Sequence, residues 1–159
     1  MKLLEFISKK AIVSGLKGKD RKAVIVELVT ALKKANTAAK INVDDVASAV
    51  LEREMKVGST GLGGGVAIPH ARVDAVRDVV GVFGRMPMAI DFAAVDGSPV
   101  DLFFLIVSPE SKQAQYAEAL KKVAVAVKSP NFCKFLRAAK TSKDIEEVFK
   151  DIEAMAGRA

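Results

Sequence analysis

The chain has 159 residues, half of them hydrophobic, with 25 basic and 19 acidic side chains and a formal net charge of +6. This length predicts a single domain over residues 1–159 with one substantial core. No apolar run approaches a membrane span and the N-terminus lacks a signal-peptide core, so we expect no membrane insertion and a cytoplasmic location. The lysines alternate with apolar positions and lack aromatic neighbours, which favours a solvated face over a nucleic-acid partner.

The first third of the chain predicts one strand and one helix. Residues 2–10 are typical of either a short strand or a loose helical turn, and Ala11-Ile12-Val13 predicts the first β-strand. Asp20 is placed to cap a helix that runs to about Ala35, since apolar residues then recur at helical spacing.

A second helix leads directly into a glycine-rich stretch. Asn42 and Asp45 open it, and it should end near Met55. Arg53 falls in its last turn, where the helix dipole favours a cation by about 0.3–1 kcal/mol, and this alone would explain an arginine there.

Residues 58–72, GSTGLGGGVAIPHAR, hold five of the eleven glycines and the only histidine, His70. Glycines adopt positive φ freely and let backbone amides point outward, which is how a chain builds an anion pocket. Pro69 favours an extended backbone before it, so we expect His70 to follow a strand-like segment. A neutral imidazole beside amides, arginines, Ser59 and Thr60 predicts a phosphorylated histidine; the alternative is a buried structural histidine.

Other phosphate and metal chemistries do not fit these residues. The dinucleotide fingerprint needs glycine where Val66 stands, and a P-loop needs lysine and then serine or threonine where Gly64 and Gly65 stand. One histidine and one distant cysteine, Cys133, do not form a metal-ligand cluster. We therefore expect neither a metal nor a cofactor.

Beyond the glycine-rich stretch, two strands and three helices are predicted. Asp78 to Met86 and Val100 to Val107 predict strands, the second apolar on both faces and therefore central, with a turn at Asp96-Gly97 between them. The three helices should run from Ser111 to Lys128, from Ser129-Pro130, and from Ser142. This alternation predicts an α/β fold with a mixed β-sheet flanked by helices on both faces.

Two blocks of the sequence resemble a known family. Residues 51–54 (LERE), 58–63 (GSTGLG) and 66–70 (VAIPH) resemble the active-site signature of type 2 enzyme IIA of the bacterial phosphoenolpyruvate:sugar phosphotransferase system. This is the fructose/mannitol class, which includes the nitrogen-regulatory IIA proteins. Residues 90–92 (IDF) and 95–107 form a second similar block, so the resemblance extends over nearly the whole chain.

The resemblance implies specific roles. His70 would accept a phosphoryl group on Nε2 from a histidine-containing phosphocarrier protein, and Arg53 would help to neutralise it. Ser59 and Thr60 are weaker candidates for phosphate contacts, because they also fit simple turn or cap hydroxyls. The downstream partner would be a IIB component or a regulatory target protein.

Two positions depart from the family pattern. Tyr116 stands where many members carry a second histidine, and Ala71 replaces the glycine that often follows the active histidine. Tyrosine can donate a hydrogen bond to phosphate but brings no positive charge, so these changes predict slowed or lost phosphotransfer. The alternative is that Tyr116 merely packs at the sheet edge.

Two function hypotheses follow. In the first, the protein is a phosphoryl carrier, either a nitrogen-regulatory protein or a separate sugar-specific IIA subunit. In the second, it is a non-catalytic regulatory binding module with reduced or lost phosphorylation. A hydrolase with His70 as general base is a distant third, because no nucleophile or acidic orienting group accompanies it at a recognisable spacing.

Overall fold

The structure, a computed structural model, describes residues 1–156. Its strands are β1 (Ile7–Val13), β2 (Gly61–Gly63), β3 (Val66–Ala67), β4 (His70–Arg72), β5 (Val80–Ile90) and β6 (Val100–Ser108). Its helices are α1 (Leu3–Phe6), α2 (Arg21–Ala35), α3 (Val43–Val57), α4 (Gln113–Ala126), α5 (Pro130–Ala138) and α6 (Ser142–Ala156), with a 3₁₀ turn at Glu110–Lys112 before α4.

The strands form one mixed sheet in the order β1-β5-β6-β3-β2, and β4 also pairs with β6. The β5–β6 and β2–β3 pairs are antiparallel, whereas β1–β5, β3–β6 and β4–β6 are parallel. Nearly every residue of β6 is buried. This confirms its predicted central place, because a strand covered on both faces must be apolar on both.

Helices cover both faces of the sheet, as the sequence predicts. One apolar cluster joins one sheet face to α2 and α3, and a second joins the other face to α1, α4, α5 and α6. The rings of four phenylalanines pack against one another in the second cluster, mostly in tilted or edge-to-face pairs: Phe83, Phe104, Phe132 and Phe149. Burial of these faces supplies the main favourable free energy of folding.

Three of the predicted helix starts are confirmed by capping hydrogen bonds. The Asp20 carboxylate accepts the Ala23 amide at 2.8 Å, and the Asn42 side chain accepts the Asp45 amide at 3.1 Å. Ser129 caps α5 ahead of a proline at its first position. Each cap satisfies an amide that has no partner within its helix.

Element boundaries differ from the prediction by a few residues. Residues 2–10 divide between the two predicted alternatives, with a helical turn at Leu3–Phe6 and then β1 from Ile7. α3 continues to Val57 and ends at Gly58, whose φ of 110° leaves the helical region. β5 begins at Val80 and reaches Ile90, because its pairing with β6 extends over that length. Within residues 1–156, no helix has the length and apolar character needed to cross a membrane.

Candidate functional site

A cleft of about 650 Å³ opens where the end of α3, strand β4 and the start of α4 meet. β4 pairs in parallel with the last residues of β6, and the chain continues from β6 through the 3₁₀ turn into α4. The cleft is lined by Ala49, Glu52, Arg53, Lys56, Val57, His70, Ala71, Arg72, Glu110, Gln113, Tyr116 and Leu120. Three residues predicted for the site, His70, Arg53 and Tyr116, are therefore brought together.

His70 is the first residue of β4 and is half-buried in the cleft wall. β3 and β4 both pair with β6, and Ile68 and Pro69 lie between these two paired segments. The pairing with β6 therefore resumes at His70. Nδ1 of His70 lies 2.6 Å from the carbonyl oxygen of Ile68. A carbonyl can only accept, so Nδ1 carries the proton and Nε2 keeps its lone pair.

The surroundings of His70 favour the neutral imidazole. Burial lowers the pKa of His70 below 6.5, and the positive charge of Arg53 lowers it further. The hydrogen bond to Ile68 opposes these effects without reversing them. His70 is therefore unprotonated near neutral pH, which is the form that can act as a nucleophile.

The cleft is rich in cationic side chains. Arg53 comes from the end of α3 and Arg72 from β4, and both act electrostatically on Tyr116. Within residues 1–156 the side chain of Arg53 makes no hydrogen bond or ion pair, whereas the nearby Lys56 pairs with Glu52 on the same helix. The two guanidinium groups offer planar donors suited to phosphate oxygens.

Sequence reasoning missed Arg72 as a site residue, although a signal for it was present. His70 and Arg72 are two residues apart in a strand, and alternate side chains of a strand share one face. Once residues 70–72 are assigned to a strand, Arg72 must point to the same side as His70. Gln113 was missed as well; it lies three residues before Tyr116, on the same side of α4.

Tyr116 lies edge-on to His70, with ring centroids 5.9 Å apart and an interplanar angle of 63°. Burial raises the pKa of the Tyr116 hydroxyl from 10 to about 12, although Arg53 and Arg72 act in the opposite direction. The phenol is therefore neutral and can donate a hydrogen bond across the physiological pH range.

The structure places Ser59 and Thr60, the weaker candidates for phosphate contacts, outside the residues that line the cleft. The Ser59 hydroxyl donates to the Phe92 carbonyl at 2.6 Å and accepts the Gly61 amide at 3.0 Å. The Thr60 hydroxyl and amide both donate to the buried carboxylate of Glu54. These groups are committed to holding the loop, so they are not free for a ligand.

The glycine-rich segment is also not the anion cradle that its composition predicted. Residues 61–67 form a tight hairpin, with Gly63, Gly64 and Gly65 at positive φ in the turn. The Gly64 amide donates to Asp96 at 3.0 Å, and its carbonyl accepts from Arg137 at 2.6 Å. These glycines serve backbone geometry at the turn, while the guanidinium groups that line the cleft come from α3 and β4.

The arrangement can transfer a charged group to nitrogen. It combines a neutral imidazole with one ring nitrogen fixed and the other available, two arginines and a neutral tyrosine in one cleft. Within residues 1–156, no three histidine, cysteine, aspartate or glutamate side chains come close enough together to hold a metal ion. The site thus has the features of a nucleophilic histidine that meets an anionic substrate.

Comparison with known proteins identifies the family. Residues 5–152 match the model of the phosphoenolpyruvate-dependent sugar phosphotransferase system, EIIA 2. The chain belongs to this family and is a phosphoryl-transfer component of that system. A nitrogen regulatory protein of Bradyrhizobium diazoefficiens is 35% identical over 148 residues, which cover 93% of this chain and 94% of that protein. The fructose-specific EIIABC component of Bacillus subtilis is 34% identical over 93% of this chain but only 23% of that protein.

Solved structures agree with this assignment. The nitrogen regulatory protein IIA-Ntr of Neisseria meningitidis superposes with a TM-score of 0.83 at 30% identity, covering 91% of this chain and 97% of that one. The mannitol IIA of Escherichia coli, solved in complex with phosphorylated IIB, shares the fold with a TM-score of 0.72 at 20% identity over 89% and 95% of the two chains. The predicted fold class and family are confirmed.

Proposed function

We propose that His70 accepts a phosphoryl group on Nε2 from a histidine-containing phosphocarrier protein and passes it to a further protein. The observation that carries the proposal is the 2.6 Å contact between His70 Nδ1 and the Ile68 carbonyl, which leaves Nε2 as the nucleophile. Family membership supports phosphoryl transfer, and the cationic cleft supports binding of a phosphoryl group.

The transfer is a displacement at phosphorus. The Nε2 lone pair of His70 forms the new N–P bond while the donor's N–P bond breaks, and the donor imidazole keeps that electron pair. The proton stays on Nδ1, and its hydrogen bond to the Ile68 carbonyl stabilises the positive charge that the ring gains. The transition state is loose, with charge spread over three phosphoryl oxygens, and Arg53 and Arg72 provide donors for them.

Tyr116 adds a neutral donor beside the imidazole. We propose that its hydroxyl binds a phosphoryl oxygen without taking part in proton transfer, since burial raises its pKa to about 12. The stabilisation from this donor replaces only part of what a second histidine would supply, because the phenol carries no charge.

The direct test is phosphorylation in a purified relay. The protein is incubated with phosphoenolpyruvate, the first enzyme of the relay and the phosphocarrier, and its intact mass is measured beside a His70→Ala variant. We expect one acid-labile phosphoryl group on the wild type and none on the variant. If the wild type stays unmodified while an active IIA is labelled in parallel, the protein is a binding module and the proposal fails for this donor.

We propose a regulatory role in preference to sugar transport. The nitrogen regulatory relatives are 35% and 30% identical to this chain over 94% and 97% of their length, whereas the mannitol IIA is 20% identical over 95% of its own. To test this, the phosphorylated protein is added to membranes that hold a fructose-specific IIB and permease, together with labelled fructose. Retention of the phosphoryl group supports regulation, whereas formation of fructose phosphate supports a sugar-specific IIA with a IIB partner.

A further inference from the structure

The carboxyl group of Glu54 is buried beneath the site, with the residue only 2% exposed. It follows Arg53 on α3, but it points into the protein while Arg53 lines the cleft. A carboxyl group in such a place is costly unless hydrogen bonds satisfy it. Thr60 provides them, because its amide lies 3.2 and 3.1 Å from the two carboxyl oxygens and its hydroxyl donates to Oε1.

These hydrogen bonds continue as far as His70. The carbonyl of Thr60 accepts the amide of Ile68 at 3.1 Å. The carbonyl of the same Ile68 then accepts Nδ1–H of His70 at 2.6 Å. A continuous path therefore runs from Glu54 through Thr60 and Ile68 to the imidazole.

We propose that Glu54 is a positioning residue for His70, acting through Thr60 and Ile68. This inference rests on the proposed role of His70 and adds the reason that its acceptor nitrogen is fixed. His70 lies in a segment made of the two-residue strand β3 and the three-residue strand β4, with Pro69 between them. Few sheet hydrogen bonds therefore hold this segment against β6. Glu54 provides the additional anchor.

The hydrogen bonds between Glu54 and Thr60 also link the end of α3, which carries Arg53, to the segment that carries His70. Arg53 and Glu54 are neighbours on α3, so the hydrogen bonds to Thr60 also fix the position of this helix end relative to His70. Correct placement of reacting groups within about 1 Å decides much of the rate of such transfers. Glu54 thereby sets both the tautomer of His70 and its place beside Arg53.

Glu27 offers a matched control. It too is a helical glutamate whose carboxylate accepts loop amides, those of Lys17 and Gly18 at 2.9–3.0 Å, but it is not part of the cleft. Glu27→Ala therefore removes the same kind of interaction at a residue that does not line the cleft.

The test uses the fact that His70 is the only histidine. Its ring-nitrogen resonances are measured by ¹⁵N NMR in the full-length wild type, Glu54→Ala, Glu54→Gln and Glu27→Ala, and phosphoryl acceptance is timed for each. We expect Glu54→Ala to lower the Nδ1–H population and slow acceptance about tenfold. Glu54→Gln, which keeps an acceptor oxygen for Thr60, should restore most of both, and Glu27→Ala should change neither.

The inference is overturned if Glu54→Ala keeps the wild-type tautomer. If this variant does not fold, Glu54→Met carries the test, because it fills the space of the side chain but removes the acceptor of the Thr60 hydrogen bonds; an unchanged tautomer then overturns the inference too. The tautomer is measured without phosphorylation. A shifted tautomer in a protein that never accepts phosphate would refute the proposed function and leave the positioning role standing.

Discussion

His70 shows how one backbone contact defines the chemistry of a side chain. The Ile68 carbonyl accepts a hydrogen bond from Nδ1–H, and burial together with Arg53 favours the neutral ring. The sequence identified His70 because it is the only histidine and stands in a motif. Which nitrogen is free depends on a contact between residues two apart, and only the backbone geometry specifies it.

We expect His70 to titrate below pH 6.5. Burial and the Arg53 charge both disfavour the cation, so at pH 6.5 more than half of the rings should be neutral and acceptance should persist into mildly acid conditions. Arg53→Ala removes one of these effects and should raise the pKa of His70. The measurement is an NMR titration of the single imidazole, with Arg77→Ala, a change outside the cleft, as control. Equal pKa values in the wild type and in Arg53→Ala would refute the electrostatic part of this account.

Tyr116→Phe should slow phosphoryl acceptance about tenfold, since a hydrogen bond to a charged group contributes about 1.5–3 kcal/mol and only part of it is specific to the transition state. The ring contact with His70 is preserved in this variant, so the change isolates the hydroxyl. Single-turnover transfer from the phosphocarrier gives the rate. An unchanged rate would assign Tyr116 to packing alone.

At the scale of elements, the site forms where the C-terminal end of α3, strand β4 and the start of α4 meet. The sequence placed α3, the strand-like segment before His70 and α4 close to their observed bounds, because caps and periodicity are local signals. The sequence suggested phosphate contacts for Ser59 and Thr60, because hydroxyl groups in a glycine-rich loop can donate hydrogen bonds to a ligand. Their commitment to Phe92 and Glu54 is a tertiary fact without a local signature.

The hairpin turn allows a paired test of glycine function. Gly64 and Gly65 both have positive φ, 65° and 83°, so alanine strains the backbone at either position by about 1–2 kcal/mol. A Cβ on Gly64 would meet nothing within 4 Å, but one on Gly65 would lie 2.5 Å from the Arg137 guanidinium and 2.9 Å from the Asp101 carboxylate.

Gly65→Ala should therefore lower the free energy of unfolding clearly more than Gly64→Ala does. Urea denaturation of both variants beside the wild type measures the difference. Equal losses would mean that the ion pair between Arg137 and Asp101 moves aside without cost.

At the scale of the whole molecule, two of the lysines that contribute to the positive net charge lie away from the cleft. Lys9 and Lys10 are exposed on β1, which is separated from β4 by β5 and β6. Three strand spacings amount to about 14 Å, which exceeds the screening length of about 8 Å at physiological ionic strength. The charges next to His70 should therefore govern docking of the phosphocarrier.

Reversing both lysines to glutamate lowers the formal net charge from +6 to +2, because each substitution removes two units. At physiological salt we expect this double variant to accept phosphate at less than twofold altered rate, whereas Arg72→Ala, within the cleft, should slow acceptance about tenfold. Transfer rates at low and physiological salt test this. A large effect of the double variant at physiological salt would show that the overall charge steers the partner.

The sequence by itself determined the family, the mixed sheet with helices on both faces and the central place of β6. It also predicted Arg53 and His70 as site residues, and both line one cleft. These are local patterns, in which spacing, caps and motif residues carry the information. The single domain over residues 1–159 and the cytoplasmic location remain predictions. Only the tertiary structure decided that Arg72 and Gln113 join the cleft, that the glycine turn is held by Asp96 and Arg137, and that Glu54 connects to His70. Those facts arise from contacts that form when separate elements pack together, and local spacing and capping patterns do not specify them.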